Sequence, residues 1–222
     1  MYTGVVSRID PSTNTIDKTV AVGPNPEEMV IVNKSLYVTN SDGNNYNAGY
    51  ANGKSVSKIS LSDFVEEKKI AVGLNPTKIT ADALGNVLVL CMGDYSATPA
   101  TVWKINAEDE ATSMNIPATI MDIKDNSLYV INAPYGAPSI TYTVYNTSSG
   151  AVEKENFVSA PVDAPAGIAV HSDGRIFITS YTLVGGFASY KTPGYVSEYS
   201  SDGTFVKKYD VGVGAVSMTF LK

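Results

Sequence analysis

The 222-residue sequence has one cysteine, one histidine and one tryptophan. A single cysteine, Cys91, excludes an intrachain disulfide and a cysteine-based zinc site, and a single histidine, His171, removes most other conventional metal centres. No apolar run reaches the length that a membrane-spanning helix needs. These shortages predict a globular protein with few groups for metalloenzyme chemistry, and no cofactor or metal is expected.

Positive charge is scarce as well. The sequence has 16 Lys plus Arg against 22 Asp plus Glu, and its formal net charge is −6. Proteins that bind nucleic acid usually carry a basic stripe that neutralises phosphates. Because this sequence has no such stripe, nucleic acid is not expected as a partner.

The sequence does contain an internal repeat. Five short segments share β-branched or aromatic residues and end on a small polar residue that favours a turn. Consecutive copies start 40 to 54 positions apart. The five segments are Val6–Asp10, Val56–Ser60, Val102–Asn106, Tyr142–Asn146 and Val196–Ser200.

Further predicted strands surround each of these segments. The near copies Val22–Pro26 and Val72–Pro76 place a Gly/Pro break before an apolar strand. Short turns such as Asn33-Lys34 then lead to a partner strand. Four antiparallel strands in a repeat of this length are typical of a β-propeller blade. The sequence therefore predicts an all-β propeller, because a β-sandwich does not require the same four-strand order to recur.

The repeat predicts four complete blades and one split blade in a single propeller domain or propeller fragment, 1–222. The segment up to Val22 supplies two outer strands of the split blade, and its innermost strand is predicted at Val216–Leu221. A ring of about five blades and a fragment of a ring of about seven both fit this period. Because the first residues read like the middle of a blade, we expect a truncated protein that self-associates through exposed sheet edges. The complete blades are Pro24–Gly73, Leu74–Asn115, Ile116–Ser159 and Ala160–Gly212.

One predicted strand resembles a known family motif. Leu36–Asn40, echoed by Leu128–Asn132, resembles the sequence that names the YVTN family of β-propeller repeats. Val22–Pro26 and Val6–Asp10 also look like that family, so the resemblance covers nearly the whole chain. The long Asn/Tyr/Gly-rich connections are similar to those of surface-layer-type propellers that Bacteroidetes export.

This resemblance implies a location and a role. It implies export to the cell surface or outer membrane, capture of a nutrient such as a corrinoid or a glycan, and an outer-membrane transporter as partner. No signal peptide or lipoprotein cysteine is recognised in the sequence, so the expectation of export rests on the resemblance alone.

The predicted loops are much longer on one face of the blades than on the other. The long ones are Ser41–Lys54, Met92–Thr101, Ala133–Ile140 and Tyr181–Pro193, and they are rich in aromatic residues. Aromatic side chains give large, rigid contact areas, which suits a small molecule, a glycan or a protein partner. Packing against neighbouring blades is the alternative. The predicted ligand-binding residues are Tyr46, Tyr50, Asp94, Tyr95, Tyr135, Tyr181, Phe187 and Tyr190, with Tyr2 as a further candidate.

Other candidate residues give weaker signals. Asn40–Asn45 has oxygen ligands at alternating positions like a calcium loop, but Ala51 stands where a bidentate Glu is expected, so calcium is weakly indicated. We expect His171 to be a turn residue rather than a catalytic base, and Cys91 to be a small buried apolar residue. Asp42 and Asp163 could join Asp94 in placing carboxylates near the aromatic loops, although Asp also favours turns.

The scarcity of acidic residues near the inner strands argues against catalysis. Catalytic metal sites in propellers need several inward ligands from different blades, whereas Glu27, Glu28 and Asp163 are the only acids near these positions. The sequence therefore predicts a non-catalytic binding protein. A metal-dependent hydrolase or lactonase and a structural or adhesive surface repeat protein remain as alternatives.

Overall fold

The computed structural model describes residues 4–136 and 139–220. The protein is all-β, with 51% strand and 3% helix. By its internal contacts the chain divides into two compact units, the first ending at Pro117 and the second beginning at Ala118. Within the described residues, no helix is both long and apolar enough to cross a membrane.

The first unit contains three antiparallel sheets, and in each of them the strands pair in chain order. The two-stranded sheet consists of β1 (Gly4–Asp10) and β2 (Thr15–Val22). The next sheet consists of β3 (Pro26–Val32), β4 (Ser35–Asn40), β5 (Ser55–Ser60) and β6 (Glu66–Ala71). The last consists of β7 (Pro76–Ala81), β8 (Val87–Cys91), β9 (Thr101–Ile105) and β10 (Ala111–Pro117).

The second unit contains two four-stranded antiparallel sheets and one short hairpin. The first sheet consists of β11 (Ile120–Lys124), β12 (Ser127–Asn132), β13 (Thr141–Asn146) and β14 (Val152–Glu155). The second begins with β15 (Pro165–Val170) and β16 (Ile176–Ser180). The hairpin β17 (Leu183–Val184) and β18 (Phe187–Ala188) follows, and β19 (Tyr195–Tyr199) and β20 (Phe205–Asp210) complete the sheet.

The four predicted blades are confirmed as four-stranded sheets, although β10 extends past the predicted boundary at Asn115 and ends at Pro117. The turns between strands use left-handed residues where the sequence places Asn or Asp, as at Asn33 (φ 55°) and Asp125 (φ 56°). These residues tolerate the left-handed region better than most others do. Local turn chemistry and the apolar pattern therefore agree on the register of the strands.

The predicted strand at Val216–Leu221 is wrong for residues 216–220, which are irregular, and Leu221 lies outside the described residues. The segment is held by packing instead. The Phe220 ring lies 4.7 Å from the His171 ring and 5.3 Å from the Phe177 ring, centroid to centroid. A Cβ on Gly167 would come within 2.1 Å of the Val216 carbonyl oxygen, so this glycine lets the segment approach β15 closely.

The sheet β3–β6 is covered on both faces. Tyr37 of β4 faces a buried cluster that includes Val89 of β8, whereas its neighbours Leu36 and Val38 face a cluster that includes Val6 of β1. Successive side chains of a strand point to opposite faces, which explains why β4 is apolar on both. Burial of each such Val or Leu contributes roughly 1.5–3 kcal/mol to folding.

The second unit has an equivalent core. Ile131 and Tyr142 of the first sheet pack with Ile178 and Tyr199 of the second, and all four are buried. Phe157 completes the cluster, with its ring edge-on to Tyr142 at a centroid distance of 5.8 Å. In both units the long loops therefore lie at the ends of well-packed sheets.

Candidate functional site

The loop between β4 and β5 is organised by Asp42, which is 3% exposed and has a left-handed backbone (φ 55°). Its Oδ2 accepts hydrogen bonds from the Asn52 backbone N–H at 2.9 Å, the Asn52 side-chain amide at 3.2 Å and the Asn45 amide at 2.9 Å. Around it, Gly43–Ala48 forms a 3-10 helix. The Asp42 carboxylate, predicted as a candidate ligand group, is thus committed to holding the loop.

The described part of the chain holds no cluster of potential metal ligands. Among residues 4–136 and 139–220, no group of three or more His, Cys, Asp or Glu side chains is arranged to hold a metal ion. Glu28 is engaged by Lys78 (2.8 Å) and by the Ile79 backbone N–H (2.9 Å). Asp163 accepts a hydrogen bond from the Tyr195 hydroxyl at 3.1 Å.

Two of the predicted binding residues, Tyr50 and Tyr95, are brought together by the structure. Tyr50 belongs to the loop after β4 and Tyr95 to the loop after β8, and their ring centroids lie 6.1 Å apart with the planes at 65°. Both residues have left-handed backbones, with φ of 56° and 57°. For bulky side chains this conformation costs on the order of 1–3 kcal/mol, and it is maintained only where the surroundings enforce it.

Asp94 enforces the conformation of the loop that carries Tyr95. Its Oδ1 accepts the backbone N–H groups of Ser96 at 2.9 Å and Thr98 at 2.8 Å. These two hydrogen bonds lower the pKa of the Asp94 carboxyl below its ordinary value, and the bond from Thr98 has the larger effect. A Cβ on Gly93 would meet the Thr98 carbonyl oxygen at 1.9 Å, so the turn closes too tightly for any other residue. Asp94 is therefore placed to position Tyr95.

The environment of the Tyr95 hydroxyl is partly desolvated, although the residue as a whole is 65% exposed. Desolvation raises the pKa of Tyr95, the neighbouring Tyr50 raises it further, and the charge of Glu27 adds to this, while a hydrogen bond with the Asn75 side chain acts in the opposite direction. The hydroxyl therefore stays protonated at neutral pH and can donate a hydrogen bond.

Glu27 and Asn75 complete this patch, which we call the tyrosine patch (Glu27, Tyr50, Asn75 and Tyr95). The Glu27 carboxylate accepts a hydrogen bond from the Ser41 hydroxyl at 2.9 Å. Asn75 is 3% exposed and left-handed (φ 57°). Asn75 was missed as a site residue, although its place in the repeated Val-Gly-Leu-Asn-Pro segment could have indicated it.

The remaining predicted residue of the first unit, Tyr46, is 64% exposed on the 3-10 helix of the loop after β4. Its position leaves its ring open to solvent. Tyr2 lies outside the described residues.

The predicted residues of the second unit have a different geometry. Tyr181 and Tyr190 form a ring pair with centroids 4.9 Å apart and planes at 62°. Phe187 is 70% exposed on the β17–β18 hairpin, and Tyr135 is 97% exposed. The hairpin was not predicted, although Gly185-Gly186 between two apolar residues is a recognised two-residue hairpin signal.

His171 and Cys91 fit the roles expected of them. His171 lies at the start of the turn before β16, and its Nδ1 is 2.8 Å from Oδ1 of Asp173. Cys91 ends β8, is 1% exposed, and burial raises the pKa of its thiol to about 12. Cys91 is therefore a poor nucleophile in the folded protein.

Several solved structures share the fold of this chain. Hydrazine synthase of Kuenenia stuttgartiensis is 18% identical, with a TM-score of 0.66, and the match covers 96% of this chain and 61% of that one. A luciferin-regenerating enzyme is 10% identical with a TM-score of 0.56, covering 93% and 69%. A functionally unknown protein from Desulfotomaculum acetoxidans is 12% identical with a TM-score of 0.59, covering 95% and 63%.

These matches establish the fold of the chain. A comparison with protein-family models and one with curated proteins each found no match. The chain spans about three fifths to two thirds of the length of the structures that it resembles. Two of those structures carry the names of enzymes and one has no known function, and one scaffold can support many activities. At these identities the likeness shows a β-propeller fold.

Proposed function

We propose that this chain is a non-catalytic ligand-binding propeller and that the tyrosine patch is the centre of its binding surface. The observation that carries the proposal is the contact between the half-buried ring of Tyr50 and the 65% exposed Tyr95, which come from separate loops and both have left-handed backbones. Strained backbone conformations concentrate at functional sites and persist only where the surrounding structure enforces them. Phe64 keeps the same conformation by burial of its ring in the core, whereas Tyr95 is 65% exposed.

The ligand that suits this patch best is a neutral glycan. The faces of tyrosine rings pack against the apolar faces of sugars, while the exposed Glu27 carboxylate and the Tyr95 hydroxyl can bond to sugar hydroxyl groups. The net charge of −6 disfavours an anionic ligand. A corrinoid also presents a broad, partly apolar surface, and the resemblance to YVTN-type propellers makes it the second ligand class to test.

The same resemblance supports the proposed setting of the protein. We place it among YVTN-type, surface-layer-like propellers of Bacteroidetes, exported to the cell surface or outer membrane. There it would pass a captured nutrient to an outer-membrane transporter. A protein ligand on the same loops is the remaining possibility for this surface.

Absence of catalysis is part of the proposal. A general base or metal site needs carboxylates that are free to reach a substrate. Near the tyrosine patch, Asp94 is occupied by two backbone N–H groups and Asp42 by two asparagines. Of the carboxylates named here this leaves Glu27 to reach a ligand, and neither Asp94 nor Asp42 is free to act with it as a second acid, base or metal ligand. Turnover of a lactone or ester that requires a metal and is abolished by chelation would contradict this part.

A binding screen tests the proposal. The chain is screened against a neutral glycan array and a corrinoid panel, and Tyr95→Ala, Tyr50→Ala and His171→Ala are compared by calorimetry on any ligand found. Loss of a central aromatic anchor should weaken binding by more than about 1 kcal/mol for either tyrosine. His171→Ala, in a turn of the second unit, should bind as the unmodified chain does. Unchanged affinity in both tyrosine variants, or no ligand in either panel, would contradict the proposal.

A further inference from the structure

The second unit carries a short hairpin that stands outside its four-stranded sheets. We call residues 181–190 the apolar finger. Val184 pairs with Phe187 and Leu183 with Ala188 across the turn Gly185-Gly186. Both glycines have positive φ, 63° and 85°, which two-residue hairpin turns of this kind require and which side chains disfavour. The turn keeps the tip narrow, with no side chain at its end.

The tip of the apolar finger exposes apolar side chains. Phe187 is 70% exposed, Val184 58% and Leu183 41%. From Tyr181 to Tyr190 the sequence contains no charged residue. Exposed apolar side chains grouped on one element are unfavourable in water and mark a surface that meets a partner.

The base of the apolar finger differs from its tip. The rings of Tyr181 and Tyr190 contact each other immediately before and after the hairpin, and Lys191 follows. The Tyr181 backbone N–H donates to the Ala164 carbonyl oxygen at 3.0 Å, which fixes the base to the unit. The element thus runs from apolar residues at the tip, through two amphipathic rings, to a cation.

We propose that the apolar finger inserts into the surface of a lipid bilayer. The order of its residues matches the layers of a bilayer surface. The tip would enter the acyl region, Tyr181 and Tyr190 would lie at the level of the head groups, and Lys191 would reach the phosphates. This inference is independent of the proposed function of the tyrosine patch, and it gives Phe187 a role other than direct contact with a soluble ligand.

The charge of the chain defines which lipid surface fits. With a net charge of −6, the whole molecule is repelled by anionic lipids, so binding depends on apolar insertion rather than on electrostatic attraction. Zwitterionic phosphatidylcholine vesicles should therefore bind the chain at least as well as vesicles that contain phosphatidylserine. A few inserted side chains give weak, reversible binding.

Vesicle flotation tests this proposal. The variants are Phe187→Ser and the control Val152→Ser, which removes a 50% exposed valine from β14 of the same unit. Phe187→Ser should lower partitioning onto phosphatidylcholine vesicles by about tenfold, because it removes a large inserted apolar side chain. Val152→Ser should partition as the unmodified chain does. Equal partitioning of the two variants, or no partitioning of the unmodified chain, would overturn the proposal.

A second measurement separates insertion from other forms of association. In Phe187→Trp, the tryptophan emission that exceeds the emission of Trp103 in the unmodified chain should shift to shorter wavelength with vesicles and be quenched by lipids brominated on their acyl chains. Val152→Trp should show neither change. If Phe187→Ser instead alters the sedimentation of the chain without lipid, the finger is covered by a second copy, and insertion is overturned. Binding of the apolar finger to an apolar pocket of a protein, without binding to vesicles, would also overturn the proposal.

Discussion

The Glu28 carboxylate on β3 accepts the backbone N–H of Ile79 on β7 at 2.9 Å, although the two residues are 51 positions apart. The second unit has the same arrangement, since Asp122 on β11 accepts the backbone N–H of Val170 on β15 at 2.6 Å across 48 positions. β7 and β15 are the first strands of their sheets, and within the described residues one edge of each has no strand partner, so its N–H groups need other acceptors. In both units a carboxylate from the preceding sheet fills that need and joins the two sheets.

The first prediction concerns this bond. Glu28→Ala should lower the free energy of unfolding by about 1–2 kcal/mol, because it leaves the Ile79 N–H and Lys78 without their acceptor. The value lies at the low end for charged hydrogen bonds, since the Glu28 side chain is 36% exposed. Urea denaturation measures the change. Glu67→Ala, an exposed glutamate on β6, is the control and should change stability by less than about 0.5 kcal/mol.

The sheets were predictable from sequence because their information is local. Turn residues such as Asn33 and Asp125 and the alternating apolar pattern determine where each strand begins and ends. The Gly185-Gly186 hairpin was equally local and was overlooked inside a long loop. The predicted final strand was wrong because β-branched residues alone do not make a strand; residues 216–220 pack through Phe220 instead.

The site was less predictable because it depends on contacts between distant segments. The sequence indicated that Tyr50 and Tyr95 lie on one kind of loop, but not that their rings meet. It also gave Asp42 and Asp94 as candidate binding groups, since a free carboxylate and one that caps a turn look the same in a sequence. Their hydrogen bonds within the loops distinguish the two cases.

The second prediction separates strain from binding at Tyr95. Glycine adopts φ near 57° without the steric cost that a tyrosine has there, but it also has more freedom in the unfolded chain. Tyr95→Gly should therefore change the free energy of unfolding by roughly 0 to +1 kcal/mol, toward greater stability, while binding at the tyrosine patch is lost.

Phe64 provides the matched control for that substitution. It has almost the same backbone conformation (φ 58°) but is 5% exposed and packs in the core of the first unit. Phe64→Gly should lower the free energy of unfolding by about 3–5 kcal/mol, because the buried ring is lost. Thermal denaturation of both variants measures the contrast. A similar loss of stability in Tyr95→Gly would show that Tyr95 is a packing residue.

The third prediction concerns acid stability. Glu198 is buried, and its carboxylate accepts hydrogen bonds from the Tyr209 hydroxyl at 2.6 Å and the Arg175 guanidinium at 3.0 Å. These two hydrogen bonds lower the pKa of Glu198 below its ordinary value near 4.5, and the bond from Tyr209 has the larger effect. Since the pKa is lower in the folded state, Glu198 stabilises the fold above pH 4.5, and this contribution is lost as the pH falls through the lowered value.

Glu198→Gln tests this dependence. At pH 7 the variant should be less stable by about 1–3 kcal/mol, and the difference from the unmodified chain should shrink as the pH falls from 5 to 3. Melting temperatures across that range measure it, with about 2–4 °C expected for each kcal/mol in a chain of this size. Glu155→Gln, an exposed residue of β14, should show a constant, small difference. A difference in stability between Glu198→Gln and the unmodified chain that does not change with pH would contradict the prediction.

The fourth prediction concerns the reactivity of Cys91. The thiolate, rather than the thiol, attacks disulfide reagents, and burial raises the pKa of Cys91 to about 12. The side chain is also 1% exposed at the end of β8, so a reagent reaches it only when the unit opens. At pH 8 the native chain should therefore react with an aromatic disulfide reagent at least about a hundredfold more slowly than the chain unfolded in guanidinium chloride. Glu28→Ala should raise the labelling rate of the native chain by the same factor by which it raises the population of the opened first unit, because Glu28 and Cys91 both belong to that unit. Fast labelling of the native chain would show that β8 is open to solvent and that the core cluster around Val89 is not closed.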